Sequence, residues 1–362
     1  MPGTTNRRLD IPFAAGVVGS LPRTPPVRDM LPSSPGPESA RAARTAQMDA
    51  AVGYAIAVQE AAGLDRVTEG EWRRHAYTHV VADMCTGFAV DPRPGIRFGI
   101  YVTEPLQVVR PGLLAEEARF LLDSTDGRVA TKVCIPSPYI LGARLWDPEY
   151  STAAYPERGD FVDALVPILR DEVLALRDAG VDVIQVDEPD MAVLLDPRRE
   201  PVYGDRHYDL DLGASKINEM IEGIDGVRIS MHMCRWNSLS RGWHWEGGYE
   251  PIIDTLNRID VDQFVMEFSI PVAGSVSILR QLPDDKLIGL GCLDPRSEAI
   301  PAADDIVGRV EEATKYVDAG RLSLNPDCGF APDIRHDIPL DECYLKLTRQ
   351  VEAARILRER YG

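Results

Sequence analysis

Short β-branched and apolar runs alternate along the chain with longer stretches of helical periodicity, a pattern that predicts a parallel sheet with crossover helices. The run 181–186 is almost continuously apolar, as expected of a strand covered on both faces. Comparable runs at 14–20, 65–70, 129–136, 227–233, 261–267, 286–292 and 321–325 bring the expected strand slots to eight. Helical patterns fill 38–62, 161–179, 301–319 and 340–360, with Gly63 and Gly180 placed as stop signals. The runs 97–103 and 106–110 stand too close together for a crossover helix and predict a side hairpin. Pro22, Pro25, Pro26, Pro32, Pro35 and Pro37 predict a stiff, non-helical loop, and residues 1–12 a polar N-terminal arm. The expected fold is a single (β/α)8 barrel over 13–362, a size such barrels reach with insertions.

In a barrel of this kind the rim at the C-terminal strand ends collects side chains from several strands. The chemically distinctive residues fall on that rim. The run 227–234 ends in His232 and Cys234, and residues at i and i+2 of a strand share a face, which sets an imidazole beside a thiol. Glu267 closes the run 261–267, and Cys328 follows the run 321–325. Together the four offer an N, S, O, S donor set suited to zinc; buried polar groups and small core thiols are the alternative reading. Asp187 and Glu188 precede Pro189 at another strand end, either to hold a substrate ammonium or to cap and brace the turn. Glu71 faces the same choice, with Arg73 and Arg74 close in sequence, and Ser20 either meets a substrate carboxylate or caps its own turn. Cys85, Cys134, Cys292 and Cys343 have no partner spacing and read as core or incidental thiols. Trp236, Trp243, His244 and Trp245 crowd one glycine-flanked segment, as a lid over the site or as packing on the barrel top.

Charge narrows the function classes. A net charge of −18 argues against nucleic acid or an anionic membrane as partner, since both call for basic patches. No apolar run reaches membrane-spanning length and no export signal opens the chain, so a cytoplasmic location is expected. The six scattered cysteines fit a reducing compartment and leave thiols available to a metal.

The order His-Met-Cys at 232–234, a strand ending in Glu267, and Asn-Pro-Asp-Cys-Gly at 325–329 resembles the zinc-binding pattern of the cobalamin-independent methionine synthase catalytic barrel. The resemblance extends to Val18-Gly19-Ser20-Leu21-Pro22, to Glu69-Gly70-Glu71-Trp72-Arg73-Arg74, and to Gln185-Val186-Asp187-Glu188-Pro189. It implies a Zn2+ held by His232, Cys234, Glu267 and Cys328 that takes a thiol substrate as a further ligand and presents it to an alkyl donor. It also implies that Val18, Gly19, Ser20, Glu71 and Asp187 hold the amino-acid part of homocysteine; Asp187 and Glu188 are the candidate catalytic residues.

The family pattern breaks on the donor side. Arg296 falls where the family has a proton-donating histidine, and an arginine does not act as a general acid at neutral pH. Val193 stands where a glutamate would bind the pterin of methyltetrahydrofolate, Gly142 stands near the place of a covering tryptophan, and the N-terminal half of the long enzymes has no counterpart in these 362 residues. The expected activity is therefore zinc-dependent methyl or alkyl transfer to homocysteine or a similar small thiol, from a donor other than methyltetrahydrofolate triglutamate. A corrinoid protein and a small methylated or epoxide compound are candidate donors; in the epoxide case, resembling the coenzyme M alkyltransferases, Arg296 would bind an anionic group. A zinc hydrolase, a metal-free decarboxylase and a zinc-binding protein remain as alternatives.

Overall fold

The computed structural model describes residues 9–90, 99–194, 196, 198, 202, 204–236, 242–331 and 338–362. Nine strands appear among them: β1 Arg66–Val67, β2 Cys85–Val90, β3 Ile100–Val108, β4 Ala130–Pro136, β5 Val183–Asp187, β6 Arg228–Met233, β7 Gln263–Met266, β8 Leu287–Leu293 and β9 Leu322–Pro326. Seven of them form one parallel sheet in the order β1-β4-β5-β6-β7-β8-β9, and helices on its outer face carry the chain back between neighbours. Strands β4 and β5 are buried along their whole length, as the apolar run 181–186 led one to expect.

The first expected strand takes a reduced form. In place of a strand over 14–20, Ala15 makes an isolated parallel bridge to Leu324 of β9 and Gly16 one to Arg66 of β1. One short segment thus hydrogen-bonds to both edges of the curled sheet, Gly16 N–H to Leu324 O at 3.0 Å and Asp65 N–H to Ala15 O at 2.9 Å. The seam is covered by the last helix, Leu340–Tyr361, whose buried Gln350 donates to Gly16 O at 2.8 Å and to Leu324 O at 3.0 Å.

Other expectations are corrected locally. The side hairpin exists, but 100–108 is one strand, β3, paired antiparallel with β2, with a register shift at Gly87; residues 97 and 98 lie outside the described residues. The helix expected over 38–62 is two, Pro37–Ala42 and Ala46–Ala62, because the Thr45 side chain accepts Met48 N–H and starts a new helix. The proline-rich loop holds a short helix, Pro25–Met30, since proline at the first helical position costs no hydrogen bond. The helix expected over 301–319 ends at Ala313. Helix Arg158–Ala179 begins on a Glu157–Asp160 capping box and stops at Gly180 with φ 94°.

Candidate metal and substrate site

Two buried clusters form at the C-terminal strand ends. In the first, donor atoms of His232, Cys234 and Cys328 all lie within 4.8 Å of one another. His232 lies next to the last residue of β6 with its Nδ1 3.2 Å from Val265 O. A proton on Nδ1 donates there and turns the Nε2 lone pair away from β7. That Nε2 is buried and has no hydrogen-bond partner among the described residues. Burial, with the nearby Lys132 ammonium, lowers the imidazole pKa to about 3, so the ring stays neutral as a ligand must. An orphaned buried nitrogen facing two thiols is the donor chemistry zinc prefers.

Glu267 is buried just past β7 and is not one of that trio. Burial raises its carboxyl pKa well above normal, with the Cys234 thiol adding and Arg235 opposing. Its Oε2 accepts the Arg235 backbone N–H at 2.8 Å and Nη1 at 3.3 Å, while its own N–H donates to Tyr249 Oη at 2.9 Å. The Arg235 guanidinium, fully buried 4.2 Å from the Tyr249 ring centroid, also donates to Tyr249 Oη at 2.6 Å and Gly247 O at 2.6 Å. One cation therefore ties the loop after β6 to Glu267. Asp327 performs the matching task next to Cys328, accepting Phe268 N–H, Ser269 N–H and the Ser269 hydroxyl at 2.6–3.1 Å.

The second cluster joins Glu71, Cys134 and Asp187, again with donor atoms within 4.8 Å of one another. Asp187 ends β5 and accepts Gln185 Nε2 at 2.8 Å; burial and the Glu71 charge raise its pKa. Burial likewise raises the pKa of Glu71, against the opposing charges of Arg74 and Arg23. The Glu71 carboxylate accepts no hydrogen bond from any described residue although the residue is only 4% exposed. A desolvated, unpaired carboxylate is costly, and a cation brought by a ligand relieves it.

The remaining sequence candidates take varied places. Val18 O accepts the Cys134 thiol at 3.3 Å, so this cysteine, expected in the core, belongs to the second cluster. Gly19 is needed for close approach: a Cβ there would overlap Glu71 Oε1 and lie 2.8 Å from Cys134 Sγ. The Ser20 hydroxyl accepts Ala331 N–H at 3.2 Å. The Glu188 carboxylate accepts the Ser137 hydroxyl and the Asp190 N–H, while its own N–H donates to His232 O at 2.9 Å. Arg296 is fully buried after β8, its N–H donating to Asp294 at 2.7 Å. Of the aromatic segment, Trp236 stands edge-on to His244 and Trp245, each at 5.9 Å, and residues 237–241 lie outside the described residues.

Four residues absent from the sequence reading of the site join it. Lys132 lies buried under the second cluster, donating to Val17 O and Gln185 Oε1, with burial lowering its pKa to about 8. The Tyr77 phenol is raised well above its usual pKa by burial, with Arg144 opposing and the charges of Asp190, Cys234 and Asp187 adding. Cys134 and Asp327 complete the group. None had a sequence signal of its own except Asp327, which sits inside the Asn-Pro-Asp-Cys-Gly block.

The model of the cobalamin-independent synthase catalytic domain matches residues 152–355, a span that carries β5 to β9 and both ends of the first cluster. The chain belongs to that family. It is 29% identical to the uncharacterized protein YxjG of Bacillus subtilis over 96% of this chain and 95% of that one. It is 28% identical to the methionine synthase of Pyrococcus abyssi over 83% of this chain and 79% of that one. Its fold matches the B12-independent methionine synthase of Shewanella sp. W3-18-1, solved with selenomethionine, with a TM-score of 0.75 at 22% identity over 96% and 98% of the two chains. As a member of the cobalamin-independent synthase family the chain is an enzyme with a methionine synthase-like catalytic domain. No helix of the described residues is long and apolar enough to cross a membrane.

Proposed function

We propose that the protein is a zinc-dependent transferase that moves a methyl or alkyl group onto the sulfur of homocysteine or a closely related amino thiol. The observation that carries the reading is a trio of buried donors, a ring nitrogen of His232 and the Cys234 and Cys328 thiols, within 4.8 Å of one another, in which His232 Nε2 has no hydrogen-bond partner among the described residues. His232, Cys234 and Cys328 would hold the metal, with Glu267, fixed by Arg235 and Tyr249, as the fourth ligand. A zinc ion in such a set keeps a bound thiol deprotonated at neutral pH, and so nucleophilic.

The chain's own groups bind and orient. Glu71 and Asp187 receive the substrate ammonium, which pairs the carboxylate that now accepts no hydrogen bond. Gln185 fixes the Asp187 oxygen, and Lys132 beneath the pair sets the local charge. Glu188 acts as a positioning residue, its carboxylate already committed to Ser137 and Asp190. We assign residues 13–362 to one catalytic unit on a closed barrel of eight slots, the segment 14–16 filling the eighth.

The donor side supports a methyl source other than methyltetrahydrofolate triglutamate. Val193 is buried and apolar, and the nearby Asp190 carboxylate is engaged by Arg144 at 2.6 Å and Trp236 Nε1 at 2.7 Å. In the cobalt-substituted protein, homocysteine should intensify the sulfur-to-metal charge-transfer absorption, and Cys328→Ser should abolish both metal retention and that change. A cobalt spectrum indifferent to homocysteine would remove the reading. Turnover with methyltetrahydrofolate, a methylcorrinoid or a small methylated compound then identifies the donor.

A further inference from the structure

Between the two clusters runs the segment 19–23, and its contacts go both ways. Toward the substrate cluster, Leu21 N–H donates to Gly70 O at 3.0 Å and Leu21 O accepts Trp72 Nε1 at 3.2 Å. Toward the metal cluster, Phe330 N–H donates to Ser20 O at 3.0 Å, and the Ser20 hydroxyl packs where a side chain on Gly329 would otherwise sit. Arg23 closes the arrangement. Its guanidinium, in a residue 2% exposed, donates through Nη2 to Glu71 O at 2.8 Å and Arg74 O at 3.0 Å, and through Nη1 to Ala331 O at 3.1 Å.

The backbone at Glu71 needs such a hold. Its φ of 58° lies in the left-handed region, unfavourable for a residue with a side chain unless its surroundings enforce it. Arg74 N–H donates to the same Glu71 carbonyl at 3.2 Å, so that oxygen is fixed from two sides. The planar fork of arginine reaches carbonyls on two different loops at once, which a lysine point charge cannot reproduce.

We infer that Arg23 is a positioning residue that holds Glu71 in its left-handed conformation and locks the Glu71 loop to the loop bearing Cys328. Its consequence for substrate rests on the proposed function; its consequence for the two loops does not. Arg23 acts through the Glu71, Arg74 and Ala331 carbonyls it holds, and so through the direction in which Glu71 presents its carboxylate.

The test uses full-length protein with Arg23→Lys and Arg23→Met, the lysine variant guarding against a failure to fold. Amide exchange read by mass spectrometry in the absence of any thiol should show lost protection together in 69–75 and 328–331, with β4 to β8 unchanged. Protection kept in both segments, or lost across the whole sheet, overturns the inference. Thiol binding adds a second arm: affinity for homocysteine should fall at least tenfold in Arg23→Lys, while the deamino analogue 4-mercaptobutyrate stays within twofold. An equal loss for both thiols, or no loss, also overturns it. Wild-type protein that binds neither thiol would count against the proposed function, and the exchange arm would still decide the role of Arg23.

Discussion

Gly19 has no side chain, and the Glu71 carboxylate and Cys134 thiol use the space that one would take. Gly19→Ala should therefore displace both groups and weaken homocysteine binding by about 10-fold or more, at the overpacking cost of ~1–3 kcal/mol. Calorimetric titration reads that loss, and metal analysis should find the zinc content unchanged, because the atoms a Gly19 side chain would meet belong to Glu71 and Cys134 of the substrate cluster. At Asp83 the consequence is for stability. Burial raises its carboxyl pKa to about 7 despite the opposing hydrogen bond from Gly36 N–H at 2.7 Å. The folded state then holds a proton that the unfolded chain releases near the ordinary carboxylate pKa of about 4. Stability from this group is full below about pH 4 and is lost as pH rises through about 7. Urea midpoints measured across that window should fall with rising pH in the native protein and fall less in Asp83→Asn. The grouping of His232, Cys234 and Cys328 was legible because His-Met-Cys and Asn-Pro-Asp-Cys-Gly are compact blocks at strand ends. Sequence reading missed Cys134 and Lys132 because each joins the site through contacts across 50 or more positions, with nothing local to mark it.

At the level of elements, the loop after β6 is bolted to the loop after β5. Trp236, itself at φ 59°, donates from Nε1 to Asp190 at 2.7 Å, and the Arg144 guanidinium stacks 3.8 Å from its ring centroid while also binding Asp190. Trp236→Phe keeps the ring and removes the donor, so it should cost about 1 kcal/mol in urea unfolding, the usual worth of one buried hydrogen bond. Asp190→Asn should cost more, since a buried guanidinium then faces a neutral partner. Unchanged midpoints for both would show that the bolt does not bear on stability. The strands were legible wherever burial on both faces left an uninterrupted apolar run, as in β5. The hairpin was not, because β2 is half-exposed and its sequence lacks such a run, so the pairing was drawn within 97–110 instead of across to 85–90.

For the whole molecule, integrity turns on the seam where Ala15 and Gly16 bridge β9 and β1. Gln350 donates to two carbonyls there from a fully buried position, and Leu324 O keeps the Gly16 N–H without it, so Gln350→Leu should lower stability by about 1–3 kcal/mol, the cost of leaving the Gly16 carbonyl without that donor. A thermal melt within a degree of the native protein would mean that the seam closes without it. Alternation leads one to expect eight strand slots; seven are strands of one parallel sheet, and the run 14–20 makes only the two isolated bridges of Ala15 and Gly16. Both clusters stand on the same rim of this sheet, and in the proposed function a metal held in the first would receive the sulfur of a substrate anchored in the second. Zinc-edge X-ray absorption on the purified protein, with and without homocysteine, tests that claim most directly. One added sulfur should enter the zinc coordination shell when homocysteine is present; a shell unchanged by the thiol, or protein that retains no zinc, rules this role out.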